Sequence, residues 1–97
     1  MIAPDFRQAL VRLYPELGGT GPDPERYAES VIVRVLNAGS DGLREQMVGY
    51  YGMERVQAVA RARVNRLDAP VYRAWRDRLG LPARDAAIER LHALWRR

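Results

Sequence analysis

Apolar residues recur at helical spacing along this chain and are cut into short segments by glycine and proline, which narrows its folds more than any other feature. Between Leu43 and Leu81 two short amphipathic patterns meet at Tyr50-Tyr51-Gly52 and lead into a third. In that third pattern Val71, Tyr72, Trp75 and Leu79 fall on one stripe of a helix, and Gly80-Leu81 reads as a Schellman stop. Leu43, Met47, Tyr50 and Tyr51 share a side of the first pattern, behind a cap at Ser40 or Asp41. Met53 to Arg66 forms the second, with Val56, Val59, Ala60, Val64 and Leu67 in its seam.

The flanking segments follow the same logic. Asp5 to about Tyr14 predicts a helix through Phe6, Ala9, Leu10 and Leu13, ended by Tyr14-Pro15 because proline restricts the residue before it. Gly18 to Pro22 is a loop without the lysine or the preceding strand of a phosphate-binding loop. Asp23-Pro24 marks the next start, and Tyr27, Ala28, Val31, Ile32, Val35 and Leu36 then cover about half a helix circumference before Gly39. So wide an arc predicts the central helix. Asp68 caps the fifth helix, and Pro82 opens a last one through Ile88, Leu91 and Trp95. The expected fold is all-α, a bundle of about six short helices in one domain over residues 1–97. Within it, 1–22 hold the first helix and loop, 23–81 the core, and 82–97 the terminal helix.

Charge sharpens the picture. All sixteen basic residues are arginines, so lysine chemistry is excluded while every cation can make planar, forked hydrogen bonds. Residues 1–50 hold five arginines against seven carboxylates, and residues 51–97 hold eleven against five. A basic second half points to a polyanion or an acidic protein surface as partner. With no cysteine, no long apolar run, and a start at Met1-Ile2-Ala3 unlike an export signal, a cytoplasmic protein without membrane contact is expected.

Catalytic and metal chemistry find little material. His92 is the lone histidine, at the edge of the last apolar stripe. Asp23, Glu25, Glu29, Asp41 and Glu45 fall in first helical turns, where acids favour the N-terminus. The expectation is no enzyme, no metal and no cofactor.

Binding is the remaining class, and three surfaces offer it. Arg61, Arg73 and Arg76 project from their helices' apolar seams and are the expected contacts for a protein partner. The pair at about 41–51 and 53–66 is helix-turn-helix-like, and Arg55, Gln57, Arg61, Asn65 and Arg66 would suit base edges if the second helix entered DNA. Ile88, Leu91 and Trp95 make a seam that packs on the core or joins two copies into a homodimer. Arg63 falls close to the apolar stripe and is expected to pair with Glu29, Glu45 or Asp68.

Read as a unit, Glu29 to Leu81 resembles a family of small bacterial helical proteins. The resembling residues are Val31 to Gly39, Tyr50 to Glu54, Leu67-Asp68 and Trp75, roughly half the chain. Val71 and Ala74 depart from that pattern, which has a hydroxyl residue and a second aromatic there. Members resemble companions of nucleotidyltransferase-type toxins in toxin–antitoxin or abortive-infection pairs. The resemblance implies an antitoxin-like role, in which a basic surface occludes the toxin.

Overall fold

The structure is a computed structural model and describes residues 3–84 and Leu94. Among residues 3–84 five α-helices follow one another: α1 (Ala3–Leu13), α2 (Ala28–Ala38), α3 (Asp41–Tyr51), α4 (Met53–Ala62) and α5 (Ala69–Leu79). Short 3-10 turns occupy Pro15–Leu17 and Val64–Arg66, and no strand occurs among the described residues. The all-helical expectation therefore holds. The sixth helix, with Ile88, Leu91 and Trp95, lies outside the described residues.

Two boundaries move for local reasons. The second helix begins at Ala28 rather than Pro24, because Asp23 caps a turn instead: its Oδ1 accepts from the Glu25 and Arg26 amides at 2.9 and 3.4 Å. Tyr27 thus precedes the helical register and is 49% exposed, not part of the buried arc. The fourth helix ends at Ala62, and its last predicted turn is the 3-10 turn. Capping is mixed in the same way. Ser40 Oγ accepts from the Leu43 amide at 3.1 Å, whereas Asp68 makes no side-chain capping bond to α5.

Most of the core comes from residues that periodicity selects. Val31, Ile32, Val35 and Leu36 of α2 are fully buried, and α2 packs against both α3 and α4. Phe6 and Leu10 of α1, Met47 of α3, Val56 and Ala60 of α4, and Leu67 and Leu79 join them at zero exposure. Phe6 stacks on Tyr50 with ring centroids 4.9 Å apart and meets Tyr51 edge-on at 5.8 Å, which fixes α1 on α3.

Polar tethers tie the connections to this core. Tyr51 donates its hydroxyl to the Pro24 carbonyl at 2.6 Å, and burial pushes that hydroxyl's pKa well above its usual value, so it stays a donor. Asn37 bridges α2 to the α4–α5 connection, donating to the Arg66 carbonyl at 2.9 Å and accepting from the Asp68 amide at 2.8 Å. The end of α5 is the predicted Schellman stop. Gly80 adopts φ 61° and ψ 43°, its amide reaches the Asp77 carbonyl, and the Leu81 amide reaches that of Arg76 at 3.0 Å.

Candidate interaction surface

The glutamates of the first half are matched across the fold to arginines. Glu16 pairs with Arg34 at 2.6 Å, Glu25 with Arg55 at 3.5 Å, Glu29 with Arg63 at 2.7 Å, and Glu45 with both terminal nitrogens of Arg78 at 2.6 and 2.8 Å. Three of these arginines also lie over an aromatic ring. Arg34 is 4.1 Å from the Tyr14 centroid, Arg55 5.2 Å from Tyr51, and Arg78 4.6 Å from Trp75. A planar guanidinium can present an edge to a carboxylate and a face to a ring at once; an ammonium cannot. The charge imbalance along the chain is therefore partly cancelled in space, because acids of the first half meet bases of the second.

These pairs are exposed, and Arg63 illustrates the consequence. Its expected partner Glu29 is in place, but the side chains are 43% and 59% exposed, so Arg63 sits at the surface end of α4 and not inside the stripe. Hydrogen bonds from Arg34, Arg63 and Arg78 hold the carboxyls of Glu16, Glu29 and Glu45 below the usual glutamate range. A lowered folded-state pKa contributes stability that is full above the unfolded pKa and is lost as pH falls through the folded value. The melting temperature is therefore expected to drop on acidification through and below the ordinary glutamate range. A Glu16→Gln/Glu29→Gln/Glu45→Gln variant should melt lower than the parent at pH 7 and converge on it in acid. Parallel pH profiles would contradict the assignment.

α4 and α5 carry a further set of basic side chains. Arg61, Arg73 and Arg76 are all exposed, on two helices that pack together. Arg61 donates from Nε to the Gly80 carbonyl at 3.1 Å, and Gln57 donates to the Arg78 carbonyl at 3.2 Å. One helical turn apart, these two side chains satisfy carbonyls left open at the end of α5. Arg55 is engaged with Glu25 and Tyr51, while Asn65 and Arg66 are exposed on the 3-10 turn. Arg84 donates to the Val64 and Leu67 carbonyls and covers the Tyr72 ring at 4.5 Å.

The expected helix-turn-helix pair needs a correction. Gly52 alone joins α3 to α4, at φ 89° and ψ 143°, whereas the DNA-reading motif uses a turn of about three or four residues. On α4, Arg55 bonds to Glu25, and Gln57 and Arg61 bond to the Arg78 and Gly80 carbonyls at the end of α5.

A second feature escapes periodicity. An open cleft of about 300 Å³ runs between the Pro15–Leu17 turn and the start of α2, lined by Tyr14, Glu16, Leu17, Pro22, Tyr27 and Ser30. Leu17 and Tyr27 on its rim are 44% and 49% exposed, large apolar side chains facing solvent. The one hint in the sequence is position: Leu17 stands directly before Gly18-Gly19, and Tyr27 directly before the helix.

Among the described residues no three histidine or acidic side chains gather as a metal site would require. No described helix is long and apolar enough to cross a membrane. Comparison of the chain with known protein families, curated proteins and solved structures gives no match in any of the three.

Proposed function

We propose that this chain is a non-catalytic binding protein that docks on an acidic protein surface through Arg61, Arg73 and Arg76. The supporting observation is the exposure of Arg61, Arg73 and Arg76 on α4 and α5, two helices that pack together. Glutamates engage Arg34, Arg55, Arg63 and Arg78 nearby, so a partner would meet a surface of mixed charge. Asp77 lies on the same outward face as Arg73 and Arg76, and a protein can oppose such mixed charge more readily than an unbroken phosphate backbone can.

The resemblance of Glu29 to Leu81 suggests the partner, a nucleotidyltransferase-type toxin whose cleft the basic face would occlude. On that reading the chain co-purifies with the product of a neighbouring gene, and an Arg73→Glu/Arg76→Glu variant weakens the complex by at least about tenfold, the loss of roughly 1.4 kcal/mol. Both side chains are exposed, so the variant should stay folded, with a melting temperature within a few degrees of the parent's. Reproducible absence of a complex, or one indifferent to the charge reversal, would refute the proposal. Salt-sensitive binding to duplex DNA would favour the nucleic-acid reading through Asn65 and Arg66 instead.

A further inference from the structure

Gly80 does more than stop α5. It stands at φ 61° and ψ 43°, and a Cβ there would lie 2.7 Å from Arg61 Nη2, 3.5 Å from Cζ and 3.6 Å from Nε. The guanidinium thus lies against this residue, in space that any side chain would occupy. Arg61 Nε also donates to the Gly80 carbonyl at 3.1 Å. The edge made by Nε and Nη2 therefore faces Gly80, while the edge made by Nη1 and Nη2 is left for a partner. Arg78 shows what such an edge takes: its two terminal nitrogens meet both oxygens of Glu45 at 2.6 and 2.8 Å.

We infer that Gly80 is a positioning residue for Arg61, and that Arg61 receives one carboxylate of an acidic protein end-on, through Nη1 and Nη2. This rests on the acidic-partner reading above and adds the partner's chemistry at one position, an aspartate or glutamate side chain. An arginine already held at its Nε edge gives up less rotamer freedom on binding than a free one. The site needs glycine and arginine together. A methyl group at position 80 would push the guanidinium aside, which the flexible end of an arginine allows without unfolding the chain. An ammonium at position 61 could not fork onto two oxygens.

The test follows the Arg61 Nε–H signal by NMR while hexaglutamate, an acidic peptide, is titrated into the full chain in dilute salt. In the parent the signal should be protected from exchange and should move on peptide addition. Gly80→Ala should abolish the protection. Both Gly80→Ala and Arg61→Lys should weaken peptide binding about threefold, as expected for one exposed ion pair. Neither substitution changes the net charge, so general electrostatic attraction would leave the affinity where it was. Gly52 also sits at positive φ, with no heavy atom within 4 Å of its Cβ position, so Gly52→Ala separates backbone strain from displacement of Arg61. That variant should melt lower and bind the peptide as the parent does. Equal affinity in the parent, Gly80→Ala and Arg61→Lys overturns the inference, as does an Arg61 signal that hexaglutamate leaves unmoved. A thymidine oligonucleotide that moves the same signal at lower concentration than hexaglutamate overturns it in favour of phosphate. The reading beneath it fails separately, by absence of a protein complex or by its indifference to charge reversal at Arg73 and Arg76.

Discussion

Phe6→Ala is expected to remove about 3–5 kcal/mol of stability, the usual loss when a fully buried aromatic is truncated. A domain of this size has on the order of 5–15 kcal/mol in total, so the variant sits near the edge of folding. The size of the effect follows from what Phe6 touches. It is completely buried, stacked on Tyr50 and met edge-on by Tyr51, and those rings also lie edge-to-face on each other at 4.9 Å. Tyr51 in turn holds the Pro24 carbonyl, so a cavity at Phe6 loosens the turn before α2 as well as the seat of α1. Urea denaturation gives the measurement. A loss under about 1 kcal/mol would mean that α1 is not part of the cooperative core.

The second large effect is conformational. Gly52 turns the chain between α3 and α4 at φ 89° and ψ 143°, a region that residues with a Cβ rarely enter. No heavy atom lies within 4 Å of where its Cβ would stand, so alanine meets no neighbour and the cost is backbone strain alone. Gly52→Ala should therefore destabilise by about 1–3 kcal/mol. The folded chain also has the option of shifting α4 against α2 and α5. Hydrogen exchange on Val56, Val59 and Ala60 distinguishes the two: strain speeds exchange across the whole domain, a shift speeds it in α4. A variant as stable as the parent would show that this turn relaxes freely.

The parts legible in the sequence are those where burial follows period. Helical spacing repeats Trp75 and Leu79 onto one stripe and so predicts them inward, and both are buried. The Gly80 stop was equally local, needing one left-handed residue after the last turn. Tyr27 misled for the same reason: its spacing from Val31 fits the helix, but helical geometry begins one residue later. Charge was the least legible property. Arg55, Arg63 and Arg78 find their glutamates 30, 34 and 33 residues away, a pairing that no local window can contain. Nor does periodicity reveal that Gln57 and Arg61, outward on α4, would close the end of α5.

The placement of those pairs also reaches back to the unfolded chain. Glu25, Glu29 and Glu45 lie in one stretch, and Arg55, Arg63 and Arg78 in the next. With a net charge of −2 over residues 1–50 and +6 over residues 51–97, the two halves attract weakly before any helix packs, and at about 0.15 M salt such attraction reaches roughly 8 Å. Such attraction favours encounters between the two halves that the native pairs also join. Dilute buffer strengthens that bias and concentrated salt erases it, so ionic strength acts on the search for the fold as well as on its final stability.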